Sequence, residues 1–79
     1  MPVVLRKKGY RFMFFASDAD EPPHVHVKKG TKSAKFWLTP IVMLEKNNRF
    51  RPHEVNEAER IIEDHRDYLL ERWNAFFGN

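Results

Sequence analysis

Two histidines one residue apart, His24 and His26, are the side chains of this sequence best suited to chemistry. On a β-strand alternate residues project from the same face, so the two imidazoles would stand side by side, roughly 6–7 Å apart at their Cα atoms. Imidazole changes charge near neutral pH. Such a pair can therefore do general acid–base work, one neutral ring taking a proton while its protonated neighbour donates one. Cleavage of RNA by transesterification needs that pair plus cations to hold the phosphate, and Arg11, Lys28 and Lys35 are the nearby candidates. The same two rings could instead ligate a metal ion, with Glu21 or His65 as third ligand. His-x-His is also what the polar face of an ordinary half-exposed strand looks like. The spacing fits all three readings, and in the catalytic one both rings are expected to be at least partly exposed in a cleft.

The residues before the pair, Glu21-Pro22-Pro23, bias the chain toward an extended form and hold Glu21 in a fixed relation to the histidines. His65 falls on the apolar face of a helix, where a hydrogen-bonded core residue is the expectation and a supporting site role the alternative. His53 reads as a solvated surface residue. No Gly-rich phosphate loop, nucleophile elbow or His-Glu-x-x-His segment is present, and no motif calls for a cofactor. Whether the chain is an enzyme stays open on these residues alone.

The elements that must position these groups read as a single α+β domain over residues 1–79. A small antiparallel sheet of four or five strands within residues 1–44 is followed by one long helix over about 52–77, packed on one face of the sheet. Val3-Val4-Leu5 and Tyr10 to Phe15 form a first hairpin about Gly9. Tyr10, Phe12 and Phe14 share one face of the second strand; Arg11, Met13 and Phe15 share the other. Ala16 to Pro23 reads as loop, His24 to Lys28 as the third strand, and Ala34 to Leu38 as the fourth, stopped by Pro40. Ile41 to Leu44 fits a fifth strand or a helical turn, and Glu45 to Arg49 a polar connection. Pro52 suits a first helical position, and Val55, Ala58, Ile62, Leu69, Trp73 and Phe76 recur at helical spacing up to Gly78. One helix covers one face. The other would then expose a combination of Met13, Phe15, Val25, Val27 and Trp37, which predicts a homodimer or a partner protein.

Length and composition bound the rest. Seventy-nine residues hold one core, and eleven aromatic rings argue against disorder. The absence of cysteine excludes disulfides and thiolate zinc sites and fits the reducing cytoplasm. Three apolar residues between Pro2 and Arg6 make neither a signal peptide nor an anchor, and no apolar run approaches the roughly 20 residues of a membrane span. Charge is unevenly placed: residues 1–51 carry eleven Lys/Arg against four Asp/Glu, and residues 52–79 three against seven. A basic half suggests a phosphate-bearing or acidic partner, although an acidic helix packed beside basic strands gives the same count. Aromatics interleaved with Arg11 resemble nucleic-acid-binding sheets as well as plain core.

Together, Met1-Pro2, Gly9-Tyr10-Arg11-Phe12, Glu21-Pro22-Pro23-His24-Val25-His26-Val27, Ala34-Lys35-Phe36-Trp37-Leu38 with Pro40, and His65 with Leu69, Leu70, Trp73 and Phe77 resemble one bacterial family. It is known as domain of unknown function 4160, and the resemblance runs nearly end to end. Arg51-Pro52 stands where a Ser cap would be expected. The resemblance implies a bacterial cytoplasmic protein with a partner encoded nearby, in a suspected toxin–antitoxin pair. It does not imply a mechanism.

Overall fold

The computed structural model describes residues 3–78; Met1 and Pro2, which contribute to the resemblance, lie outside the described residues. Five strands form one antiparallel sheet in sequence order: β1 Val3–Lys7, β2 Tyr10–Met13, β3 His24–Lys29, β4 Lys32–Trp37 and β5 Met43–Asn48. Helices α1 (Pro52–Asp64) and α2 (Arg66–Phe77) follow. Lys8 and Gly9 both take positive φ, as a two-residue hairpin loop requires, and pair Lys7 with Tyr10.

The alternation in β2 sorts as expected. Tyr10, Phe12 and Phe14 are fully buried and meet Val25, Val27, Phe36 and Leu38 under the helices. Ala58, Ile61, Ile62, Leu69 and Trp73 supply the helical side of that core. Trp73 sets its ring edge-on to Phe14, centroids 5.3 Å apart. Tyr10 ties β2 to α1 by donating its hydroxyl to Glu57 at 2.9 Å; burial, then the facing carboxylate, pushes the phenol up to about 12. Among the described residues no helix is long and apolar enough to cross a membrane.

Four expectations need correction. The polar segment Glu45–Asn48 is strand, so the sheet extends past residue 44. β5 is an edge strand whose exposed side chains carry no alternation; its backbone pairing with β4 holds it, with Lys46 opposite Lys35.

The single long helix is two. His65 adopts φ −115° and ψ 19°, and its Nδ1–H donates at 2.9 Å to the Ile61 carbonyl, which also accepts its backbone N–H at 3.1 Å. The next residue, Arg66, donates from Nε to the Leu38 carbonyl at 2.8 Å and anchors the turned chain to the end of β4. Because of this break Phe76 is 40% exposed, while Phe77 packs against Trp73 at 4.2 Å between ring centroids. The helix start has no Ser cap. Instead the Glu54 carboxylate accepts the Arg51 N–H at 2.9 Å and receives Lys32 at 2.7 Å.

The third correction concerns the face without helices. Val25 and Val27 point into the core, Met13 is buried and Phe15 lies against His26, so among the described residues the expected patch shrinks to the part-buried Trp37 and the exposed Met43 opposite it. The fourth is local: residues Ala16–Asp20, expected as loop, form a short 3-10 helix.

Candidate functional site

The helix-free face is built by register. Opposed residues in an antiparallel ladder share a face, and two such rows cross the sheet. One runs Arg6, Arg11, Lys28, Ser33, Asn48; the other runs Met13, His26, Lys35, Lys46. Five cations thus stand on one face, with Arg6 opposite Arg11, Arg11 opposite Lys28, and Lys35 opposite Lys46. Like charges placed opposite each other destabilise a sheet. Of these five cations only Lys35 has an acidic partner within ion-pair distance among the described residues, Glu21 at 2.5 Å. A groove of about 490 Å³ lies across these rows, with Lys28, Lys35 and Lys46, one carboxylate, Glu45, the polar Ser33 and Asn48, and the rings of Phe15 and His26 in its walls. Lys28 reaches over Phe15, 5.7 Å from the ring centroid, and Lys35 over Trp37 at 4.7 Å.

At the end of the groove His26 leads inward to two buried groups. Its Nε2–H donates to Asp18 Oδ2 at 3.0 Å, and its ring stacks on Phe15 with centroids 4.1 Å apart. Asp18 sits in the short 3-10 helix, where the Phe15 N–H bonds the same Oδ2 at 2.9 Å and locks the loop onto the strand. His24 is the first residue of β3. It is fully enclosed, with its ring 5.1 Å from that of His26, 5.6 Å from Trp37 opposite, and 5.1 Å from Trp73 of α2. Its Nδ1–H donates to the Pro22 carbonyl at 2.9 Å, so the stiff Pro22-Pro23 turn fixes the ring. Its Nε2 lies 3.2 Å from Asp18 Oδ2, out of line for a hydrogen bond, and has no other partner among the described residues.

Burial alone would raise the Asp18 carboxyl. The Phe15 N–H and the facing His24 and His26 rings outweigh it and hold the group below its ordinary value. Burial lowers His26, with the Asp18 carboxylate opposing in part and the nearby His24 and Lys35 adding to the fall. The Asp18 oxygen and one nitrogen from each histidine lie within 4.8 Å of one another.

His24 and His26 are therefore adjacent, as their spacing predicts, but not equivalent: His26 keeps 19% of its side chain exposed and His24 none. Two exposed proton-transfer groups side by side are not present. Lys28 and Lys35 line the groove, and Arg11 stands in the row beside it. Glu21 does not turn to the histidines; it faces solvent and Lys35, and the carboxylate at the cluster is Asp18. His65 is spent on the helix break. His53 is exposed, as expected. Asp18 carries no distinctive sequence signal. Asp18, Asp20 and Glu21 all precede the histidines, and only the short helix selects which one turns back.

A five-strand meander under two helices, with a histidine–aspartate cluster beside a basic groove, defines a small α+β protein with one built polar site. Residues 9–74 match the family described as Domain of unknown function (DUF4160), and the chain belongs to that family. No curated protein and no solved structure matches the chain.

Proposed function

We propose that the chain is a cytoplasmic, toxin-like component of a bacterial two-gene module that acts on RNA. The helix-free face would bind the RNA backbone, and the Asp18–His24–His26 cluster, reached through His26, would be the centre of chemistry. The observation that carries this is the row of cations in register, Arg6, Arg11 and Lys28 beside Lys35 and Lys46, facing a groove that also presents the Phe15 ring. Phosphate groups relieve the mutual repulsion of such a row, and the Phe15–His26 stack in the groove wall would give an unpaired base an aromatic neighbour. A single strand fits the combination better than a duplex, whose bases are not free to stack.

A partner encoded nearby would compete for the same face if its surface is acidic. Homodimer formation through this face would bring like charges together, so the second copy foreseen from an apolar patch loses its physical basis here.

The test is expression of the chain in a bacterium and incubation of the purified protein with labelled single-stranded RNA. Growth arrest and RNA cleavage, both lost in His26→Ala with the fold retained, are the expected result. Binding without cleavage in the wild type would instead support a non-catalytic nucleic-acid-binding module.

A further inference from the structure

We infer that Asp18, His24 and His26 form a binding site for one divalent transition-metal ion of the zinc class, held by Asp18 Oδ2 and the Nε2 atoms of both histidines. The assignment does not depend on RNA binding, because all three donors come from one chain and none needs a nucleic acid to place it.

The buried ring of His24 carries the inference. Nδ1 bears a hydrogen, since the Pro22 carbonyl can only accept, so in the neutral form of the ring it is Nε2 that presents the lone pair. That lone pair points into the interior and meets a carboxylate oxygen at 3.2 Å, an arrangement in which two acceptors face each other with no proton in line between them. Buried polar atoms in folded proteins almost always have partners, so an orphan at a fully enclosed position needs an explanation. A cation between the two acceptors is one that also uses the third donor, His26 Nε2, whose hydrogen it would displace to solvent or to Nδ1 of the same ring.

Distances and surroundings agree. Zinc–nitrogen and zinc–oxygen bonds are about 2.0–2.2 Å, so neighbouring ligand atoms on one tetrahedral ion are separated by about 3.3–3.6 Å, and the three donors here, all within 4.8 Å of one another, reach that spacing with a small shift of the partly exposed His26 ring. Asp18 Oδ2 already stands 3.0 Å from His26 Nε2 and 3.2 Å from His24 Nε2. The outer contacts are those that orient metal ligands: the second nitrogen of His24 is bonded to a backbone carbonyl, and Asp18 is held by the Phe15 N–H. Two imidazoles and one carboxylate are borderline donors suited to zinc and its neighbours, and three protein ligands leave a coordination position open.

The experiment uses the full chain, stripped with a chelator and titrated with zinc chloride by calorimetry, with cobalt(II) as spectroscopic probe. One zinc per chain, a raised melting temperature and visible cobalt bands of a low-symmetry site are expected. His26→Ala, whose ring is partly exposed, should stay folded and bind zinc about tenfold or more weakly. His53→Ala, a control at an exposed histidine outside the cluster, should bind as the wild type does. The inference is overturned if the folded wild type shows no saturable zinc binding, or if His26→Ala retains full affinity. Asp18→Asn gives a second check: if it is folded and binds zinc undiminished, Asp18 is not a ligand and the site as stated is wrong.

Discussion

His24 and His26 share a face and differ in environment: one ring is sealed between Trp37 and Trp73, and the other stacks on Phe15 at the wall of an open groove. Their substitutions should therefore separate. His24→Ala empties a fully buried position and should cost about 2–5 kcal/mol, as other large-to-small core changes do. His26→Ala should cost about 1–2 kcal/mol, from one hydrogen bond and part of a stacked surface. Urea denaturation of the two single variants checks this. A double variant, with both rings removed, would confound folding with function.

Trp73 joins α2 to the sheet through Phe14 and His24, with Phe77 of the same helix packed against it. Trp73→Ala should cost about 3–5 kcal/mol. In a domain whose whole stability is on the order of 5 kcal/mol, that leaves most molecules unfolded. Phe76→Ala, at a residue 40% exposed, should move the melting temperature far less. Thermal melts by circular dichroism compare the two directly.

Glu54 predicts an acid limb. The Arg51 N–H and then Lys32 hold its carboxyl at about 2, against an ordinary value of 4.5. A carboxyl lowered in the folded state stabilises the fold fully above its unfolded value and loses that contribution as pH falls. Stability should thus decline from pH 4.5 towards 2 in the wild type. Glu54→Gln should start lower at neutral pH and show a shallower decline. Denaturant midpoints measured across that range would expose a parallel pair of curves if the residue plays no such part.

Much of this architecture is legible in the residues because burial enforces period. Tyr10, Phe12 and Phe14 alternate into the core, and Ala58, Ile62, Leu69 and Trp73 follow a helical stripe. What escapes the pattern is held by backbone or by loop. β5 has polar, exposed side chains and is specified by pairing with β4. The break at His65 falls at the one gap in the apolar stripe, between Ile62 and Leu69, but a gap filled by a histidine does not by itself announce the bond to the Ile61 carbonyl that marks the break. The site divides the same way. The histidine pair follows from strand geometry, but their different exposure depends on where Trp73 arrives. Asp18 is chosen over Glu21 by three-dimensional closure of the 16–20 turn.

The central claim is that the cation rows on the helix-free face bind the RNA backbone, and the salt dependence of binding tests it most directly. Fluorescence anisotropy of a short labelled single-stranded RNA should show saturable binding at low salt. The logarithm of affinity should fall against the logarithm of salt with a slope of about −2 to −3, since each phosphate contact on a single strand contributes about −0.7. The Arg11→Ala, Lys28→Ala, Lys35→Ala triple variant should flatten that slope by about 2 and weaken binding across all RNA sequences. No saturable binding at low salt, or a triple variant with the wild-type slope and affinity, would contradict the account.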